Sequence, residues 1–144
     1  MKYKKILVPY DGSDHAKAAA ATAVDFAEAG SGVTIVMATV CQVPIMGGPY
    51  DLASAMGQDI VGCAREKSEA ALKEGIALLP EGISSEVRMG IGSPGPTLQE
   101  IAEKEKCDLI IMGSRGMGQM KGLFMGSVSS WLVSHAHCPV LVVK

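Results

Sequence analysis

Aromatic residues make up only 4% of this 144-residue chain. That scarcity argues against a nucleic-acid surface that stacks bases on rings. Neither sign of charge dominates: 13 Lys and Arg stand against 15 Asp and Glu, for a formal net charge of −2. A nucleic-acid backbone calls for a concentrated basic face, which this balance does not supply. Long hydrophobic runs are missing as well. Ile6-Leu7-Val8 stops at Pro9, and Leu109-Ile110-Ile111-Met112 stops at Gly113, both far short of the ~20 residues of a membrane span. The opening Met1-Lys2-Tyr3-Lys4-Lys5 carries charge like a signal sequence but lacks the apolar run that follows one. The expectation is a cytoplasmic chain with no membrane and no nucleic-acid partner. Its four cysteines, Cys41, Cys63, Cys107 and Cys138, form no CxxC pair. They read as reduced thiols, neither a disulfide framework nor a metal site.

What the chain does have is 48% apolar and 19% charged residues, the balance of a single well-cored domain spanning 1–144. Short apolar runs alternate with helical stretches. Residues 4–9 read as a buried strand, followed by the turn Asp11-Gly12-Ser13-Asp14. Ser13 or Asp14 can cap a helix that runs to about Gly30. Residues 33–40 are β-branched and apolar, a second strand. A Gly- and Pro-rich stretch over 42–57 is too broken for an element, and a loop of that length is usually functional or mobile. Helical spacing returns over 59–79, and 83–89 alternates like an edge strand. A tight loop is expected over 90–96, a helix over 97–106 and a continuous apolar strand over 108–112. A glycine-rich loop over 113–125 precedes a helix over 126–136 and a last strand over 138–143. This β-α alternation implies an α/β fold: a parallel sheet with helices on both faces. Ligands of such sheets sit at the carboxyl ends of strands where the winding reverses. The loops after the first, second and fourth strands are therefore the places to look.

After the fourth strand the chain reads GSRGMGQMKGLFMGSVS, with glycines at 113, 116, 118, 122 and 126. Missing Cβ atoms let backbone amides turn toward one point and let an anion come close. The loop ends at a helix N-terminus, whose unpaired amides and dipole favour a phosphate. Ser127 and Ser129 add hydroxyls; Arg115 and Lys121 add positive charge. The alternative is a surface loop that binds nothing. The Walker pattern GxxxxGK[ST] is absent, so P-loop chemistry is not indicated. A GxGxxG match over 90–95 follows the third strand and carries two prolines nearby; it reads as a turn. His15, His135 and His137 show no ligand spacing.

Gly113-x2-Gly116-x9-Gly126-Ser127 resembles the nucleotide-binding signature of the universal stress proteins. The similarity covers nearly the whole chain: Ile6-Leu7-Val8-Pro9 with Asp11-Gly12-Ser13 at the start, Gly92-Ser93-Pro94 and 108–113 in the centre, and 126–129 with 138–143 at the end. It implies a doubly wound five-stranded sheet of order 3-2-1-4-5, the adenine nucleotide alpha hydrolase-like fold. It also implies the ATP-binding branch of the family, with or without Mg2+, and does not separate ATP from ADP or AMP. By that resemblance Asp11 bonds the ribose, Pro9 and Val40 flank the adenine, and Met112, Gly113 and Gly116 line the ribose and phosphates. Gly126, Ser127, Val128 and Ser129 hold the phosphates. Arg115 either joins them or is a solvated cation, and Asp11 either meets the ligand or caps the first helix. Thr39 departs from the family pattern, which commonly has His there.

In the glycine loop no Glu, Gln or His is read as placed to orient an attacking water, as a hydrolase requires. The expected function is a regulatory ATP-binding module of the stress response with little or no hydrolysis. The alternative is a slow ATP hydrolase, or an adenylyl- or phosphotransferase of the same fold. The apolar last strand, Val140-Leu141-Val142-Val143, would lie at a sheet edge, and there the resemblance implies a homodimer.

Overall fold

The computed structural model describes residues 2–42, 57–115 and 125–144, with the backbone alone over 57–63. The long stretch over 43–56, the loop glycines 116, 118 and 122, Lys121 and the Cys63 side chain lie outside the described residues. Five strands form one parallel sheet: β1 (Lys5–Pro9), β2 (Thr34–Cys41), β3 (Ser84–Ile91), β4 (Leu109–Gly113) and β5 (Val140–Val143). Their order is β3-β2-β1-β4-β5. The helices between them are α1 (Asp14–Ala29), α2 (Gly57–Ala77), α3 (Pro94–Lys104) and α4 (Ser127–His135).

Strand side chains alternate between the two faces, and the core divides accordingly. Ile6, Val8, Ile35, Met37, Leu109 and Ile111 pack with α1 and with Leu72 of α2. Leu7, Val36, Ala38, Ile110 and Met112 pack with Leu98 and Ala102 of α3 and Leu132 of α4. Ile6, Leu7, Val8, Ile110 and Ile111 are fully buried, each worth about 1.5–3 kcal/mol of transfer free energy. The buried residues of α1 are all alanine, Ala16, Ala19, Ala20 and Ala23. Short side chains let the helix lie close. A Cβ on Gly113 of β4 would stand 2.7 Å from the carbonyl carbon of His15 and 2.8 Å from its oxygen.

The element order matches the sequence expectation, and its boundaries shift in instructive ways. Ser13, not Asp14, caps α1: its hydroxyl accepts from Ala16 N at 3.2 Å. The stretch over 90–96 is less of a loop than expected. Gly90 and Ile91 continue β3 in register with Val40 and Cys41, and Pro94 opens α3, a first-turn position where its missing N–H costs nothing. Cys138 and Pro139 precede β5 instead of opening it, although Pro139 O still accepts from Ile110 N at 3.0 Å. Among the described residues, no helix is long and apolar enough to cross a membrane.

Candidate functional site

From β1 the chain winds outward to β2 and β3 on one side, and later to β4 and β5 on the other. The carboxyl ends of β1 and β4 are therefore the reversal point, and a cavity of about 390 Å³ opens there, within the usual range for small-molecule sites.

Ten of the eleven residues selected from the sequence line this cavity. Pro9 and Asp11 reach it from the end of β1, and Val40 from β2. Met112, Gly113 and Arg115 come from β4 and its exit; Gly126, Ser127, Val128 and Ser129 come from the start of α4. Gly116 lies outside the described residues. Asp11 does not cap α1. It folds over the turn, and its Oδ1 accepts from Ser13 N at 2.9 Å. Gly12 between them has φ +85, a left-handed turn that side-chain-bearing residues resist. Asp11 and Arg115 are the charged side chains on the described wall.

Two helices, not one, point their N-termini inward. Gly126 caps α4 and Ser93 caps α3, neither with a side-chain hydrogen bond, and both helix starts line the cavity. First-turn amides have no partner inside their own helix. In α3 the prolines at 94 and 96 bring no N–H, which leaves Gly95 as the donor between them. In α4 the residues are Ser127, Val128 and Ser129. The wall thus concentrates donors and positive dipole ends at one place. The Ser129 hydroxyl faces protein: it lies 3.0 Å from both Ser114 O and Gly126 O, and Gly126 N donates to the same Ser114 carbonyl. Ser129 ties the outgoing and returning stems of the glycine loop together. Ser114 in turn shares a 3.3 Å hydrogen bond between its hydroxyl and His15 Nδ1.

Several wall residues escaped the sequence reading. Ser93, Pro94, Gly95 and Pro96 were read as a turn, yet they start a helix at the cavity. The signal was a Pro-Gly-Pro sequence after a strand, which fits a first helical turn as well as a loop. Trp131 lines the cavity beside them. It is held by a 3.2 Å bond from its indole N–H to Gln99 Oε1, by a stacked His135 ring with centroids 3.8 Å apart, and by Gly95, where a Cβ would stand 2.6 Å from the indole. His135 also donates from Nδ1 to Trp131 O at 2.9 Å. Tyr10 contributes a ring only 2% exposed; burial first, then the Glu74 carboxylate and Asp11, push its phenol above the ordinary range. Sequence reasoning also passed over Gln119, an amide of the type that can orient a water, and it lies outside the described residues. Among the described residues no group of three His, Cys, Asp or Glu is arranged to hold a metal.

Comparison with known proteins agrees with this fold. A universal stress protein of Thermus aquaticus is 38% identical over 144 residues and covers 99% of both chains. One from Methanocaldococcus jannaschii is 36% identical over 143 residues, covering 99% of this chain and 82% of its own. The solved structure of UspA from Lactobacillus plantarum superposes with a TM-score of 0.85 at 24% identity, covering 100% of this chain and 99% of its own. Two further solved structures share the fold with TM-scores of 0.63. One is a universal stress protein in complex with cAMP, at 24% identity over 100% of this chain and 99% of its own. The other is from Arabidopsis thaliana with AMP bound, at 22% identity over 98% of this chain and 91% of its own. The family model for universal stress proteins matches residues 2–144, and the chain belongs to the universal stress protein family.

Proposed function

We propose that this chain is a regulatory adenine-nucleotide-binding protein of the stress response, with ATP as its ligand and little or no hydrolysis. One observation carries the reading: a carboxylate turn and two helix N-termini without a side-chain cap bond share one cavity at the reversal point of the sheet. A carboxylate suits the ribose diol, apolar Pro9, Val40 and Met112 suit a base, and first-turn amides suit phosphates. Two proteins of the same fold have cAMP and AMP bound. Gly116 would complete the phosphate cradle, and Thr39 would meet the base or ribose edge. Mg2+ would enter on the triphosphate.

The test is mass spectrometry of nucleotide that co-purifies with untreated protein, followed by calorimetry with ATP, ADP and AMP. Adenine nucleotide in the purified protein is the expected result; none bound and no heat of binding would refute the reading. Turnover should stay below roughly 1 s⁻¹, the low end of ordinary enzymes. Faster hydrolysis abolished by Gln119→Ala would favour the enzyme alternative.

Assembly forms part of the same proposal. Among the described residues β5 pairs only with β4 and stands at the edge of the sheet, with Leu141 36% exposed. A two-fold dimer through β5 would cover that edge. Leu141→Glu should then run as a monomer in light scattering, and an unchanged dimer would exclude this interface.

A further inference from the structure

Residue Glu74 of α2 lies far from the cavity in sequence and is placed directly behind it. The Tyr10 hydroxyl donates to Glu74 Oε1 at 2.8 Å. Tyr10 immediately precedes Asp11, and both line the cavity. The other carboxylate oxygen, Oε2, lies 3.8 Å from where a Cβ on Gly12 would be, so it packs against the left-handed turn that presents Asp11. Lys17, in the first turn of α1, reaches Glu74 Oε1 at 3.5 Å. The next residue of α2 is Gly75, where a Cβ would stand 3.1 Å from the Tyr10 ring and 3.1 Å from Met37. α2 therefore presses on Tyr10 at Gly75 and grips its hydroxyl at Glu74.

Resting on the nucleotide-binding reading above, we infer that Glu74 is a positioning residue for that site: through the Tyr10 hydroxyl and the Gly12 turn it holds Asp11 where the ribose is bound. The docking of α2 and the readiness of the ribose turn are one event. Asp11 serves the part of the ligand common to AMP, ADP and ATP, so the effect of Glu74 falls on all three alike. A defect in the phosphate cradle would instead fall mainly on ATP.

The experiment compares Glu74→Ala, Glu74→Gln and Tyr10→Phe in the full chain. Glu74→Ala and Tyr10→Phe should each weaken AMP, ADP and ATP by the same factor, about three- to tenfold, the range a net hydrogen bond supports. Glu74→Gln keeps an oxygen that accepts from the Tyr10 hydroxyl and should bind within about twofold of the parent. Melting curves identify any variant whose loss is global unfolding. Hydrogen exchange at the Gly12 and Ser13 amides gives a second reading without nucleotide: Glu74→Ala and Tyr10→Phe should speed it, and Glu74→Gln should not. Unchanged exchange in Glu74→Ala would overturn the inference, as would a loss confined to ATP or a Gln variant as poor as Ala. If the parent binds no nucleotide while exchange still responds, the nucleotide reading fails and the mechanical link to the turn stands.

Discussion

At the amino ends of the strands the molecule is tied together with charge. Asp108 accepts from Lys4 N at 2.8 Å and Lys5 N at 3.1 Å, and returns its own N–H to Lys5 O at 2.9 Å. Lys5 Nζ reaches Glu105 at 3.0 Å and Glu86 at 3.2 Å, while Arg88 binds both of those carboxylates. At the carboxyl ends the described wall has Asp11 and Arg115, the first turns of two helices and glycines in close contact with neighbouring elements. Both ends belong to one rigid sheet, yet one end uses its polar groups on itself and the other presents them to a cavity. The lesson is a division of labour. Substitutions at the amino ends should move stability and leave ligand affinity alone, and substitutions at the carboxyl ends should move affinity, with or without stability.

The largest effect is expected from Gly113→Val. Its new side chain meets the His15 backbone, which cannot rotate away, so the chain should lose about 3 kcal/mol in denaturant unfolding and nucleotide binding with it. Parent-like stability and affinity in this variant would break the comparison at the carboxyl end. Asp108→Ala tests the other end. Two backbone N–H groups lose their acceptor, for about 2 kcal/mol, while calorimetric affinity for ATP should not change.

Glu105→Gln sharpens the same point through pH. The Arg88 hydrogen bond first, and then that of Lys5, hold the Glu105 carboxyl below its ordinary value of 4.5. A depressed carboxyl stabilises the fold above its unfolded value, and that contribution is lost as pH falls through the folded value. With its side chain 19% exposed, the expected difference is about 1 kcal/mol. The gap between parent and variant should be full at neutral pH and close on acidification below 4.5. A gap that widened in acid would show that the network does not work through Glu105.

The smallest effect is a gain. Lys106 has φ 56 at the end of α3, where Lys106 N donates to Glu103 O and Cys107 N to Ala102 O, the paired bonds of a glycine-preferring helix stop. Lys106→Gly should add about 0.5–1 kcal/mol, again without touching affinity.

How much of this was legible in the sequence depends on the range of the interaction. The alternation of runs such as 33–40 with helical stretches identified nine elements, because burial on both sheet faces writes itself into local composition. Residues of the cavity wall at or just past the carboxyl ends of strands, such as Gly113 and Asp11, were legible from position alone. The stretch over 90–96 misled because proline and glycine mark helix starts as well as turns. Tyr10 meets Glu74 across 64 residues, and Trp131 meets Gly95 through the packing of α4 on α3. No local pattern encodes either contact. Ser129 was chosen for its hydroxyl, and only the fold shows that hydroxyl turned toward Ser114 and Gly126.

The chain contains a single tryptophan, and the fold sets it in the cavity wall between a glycine and a histidine ring. Excited at wavelengths that spare tyrosine, the molecule emits from that one location. Water leaving the cavity or a ligand entering it alters the surroundings of the only emitter, with no second source to dilute the signal. The protein thus carries an optical gauge of its own cavity, usable without a label.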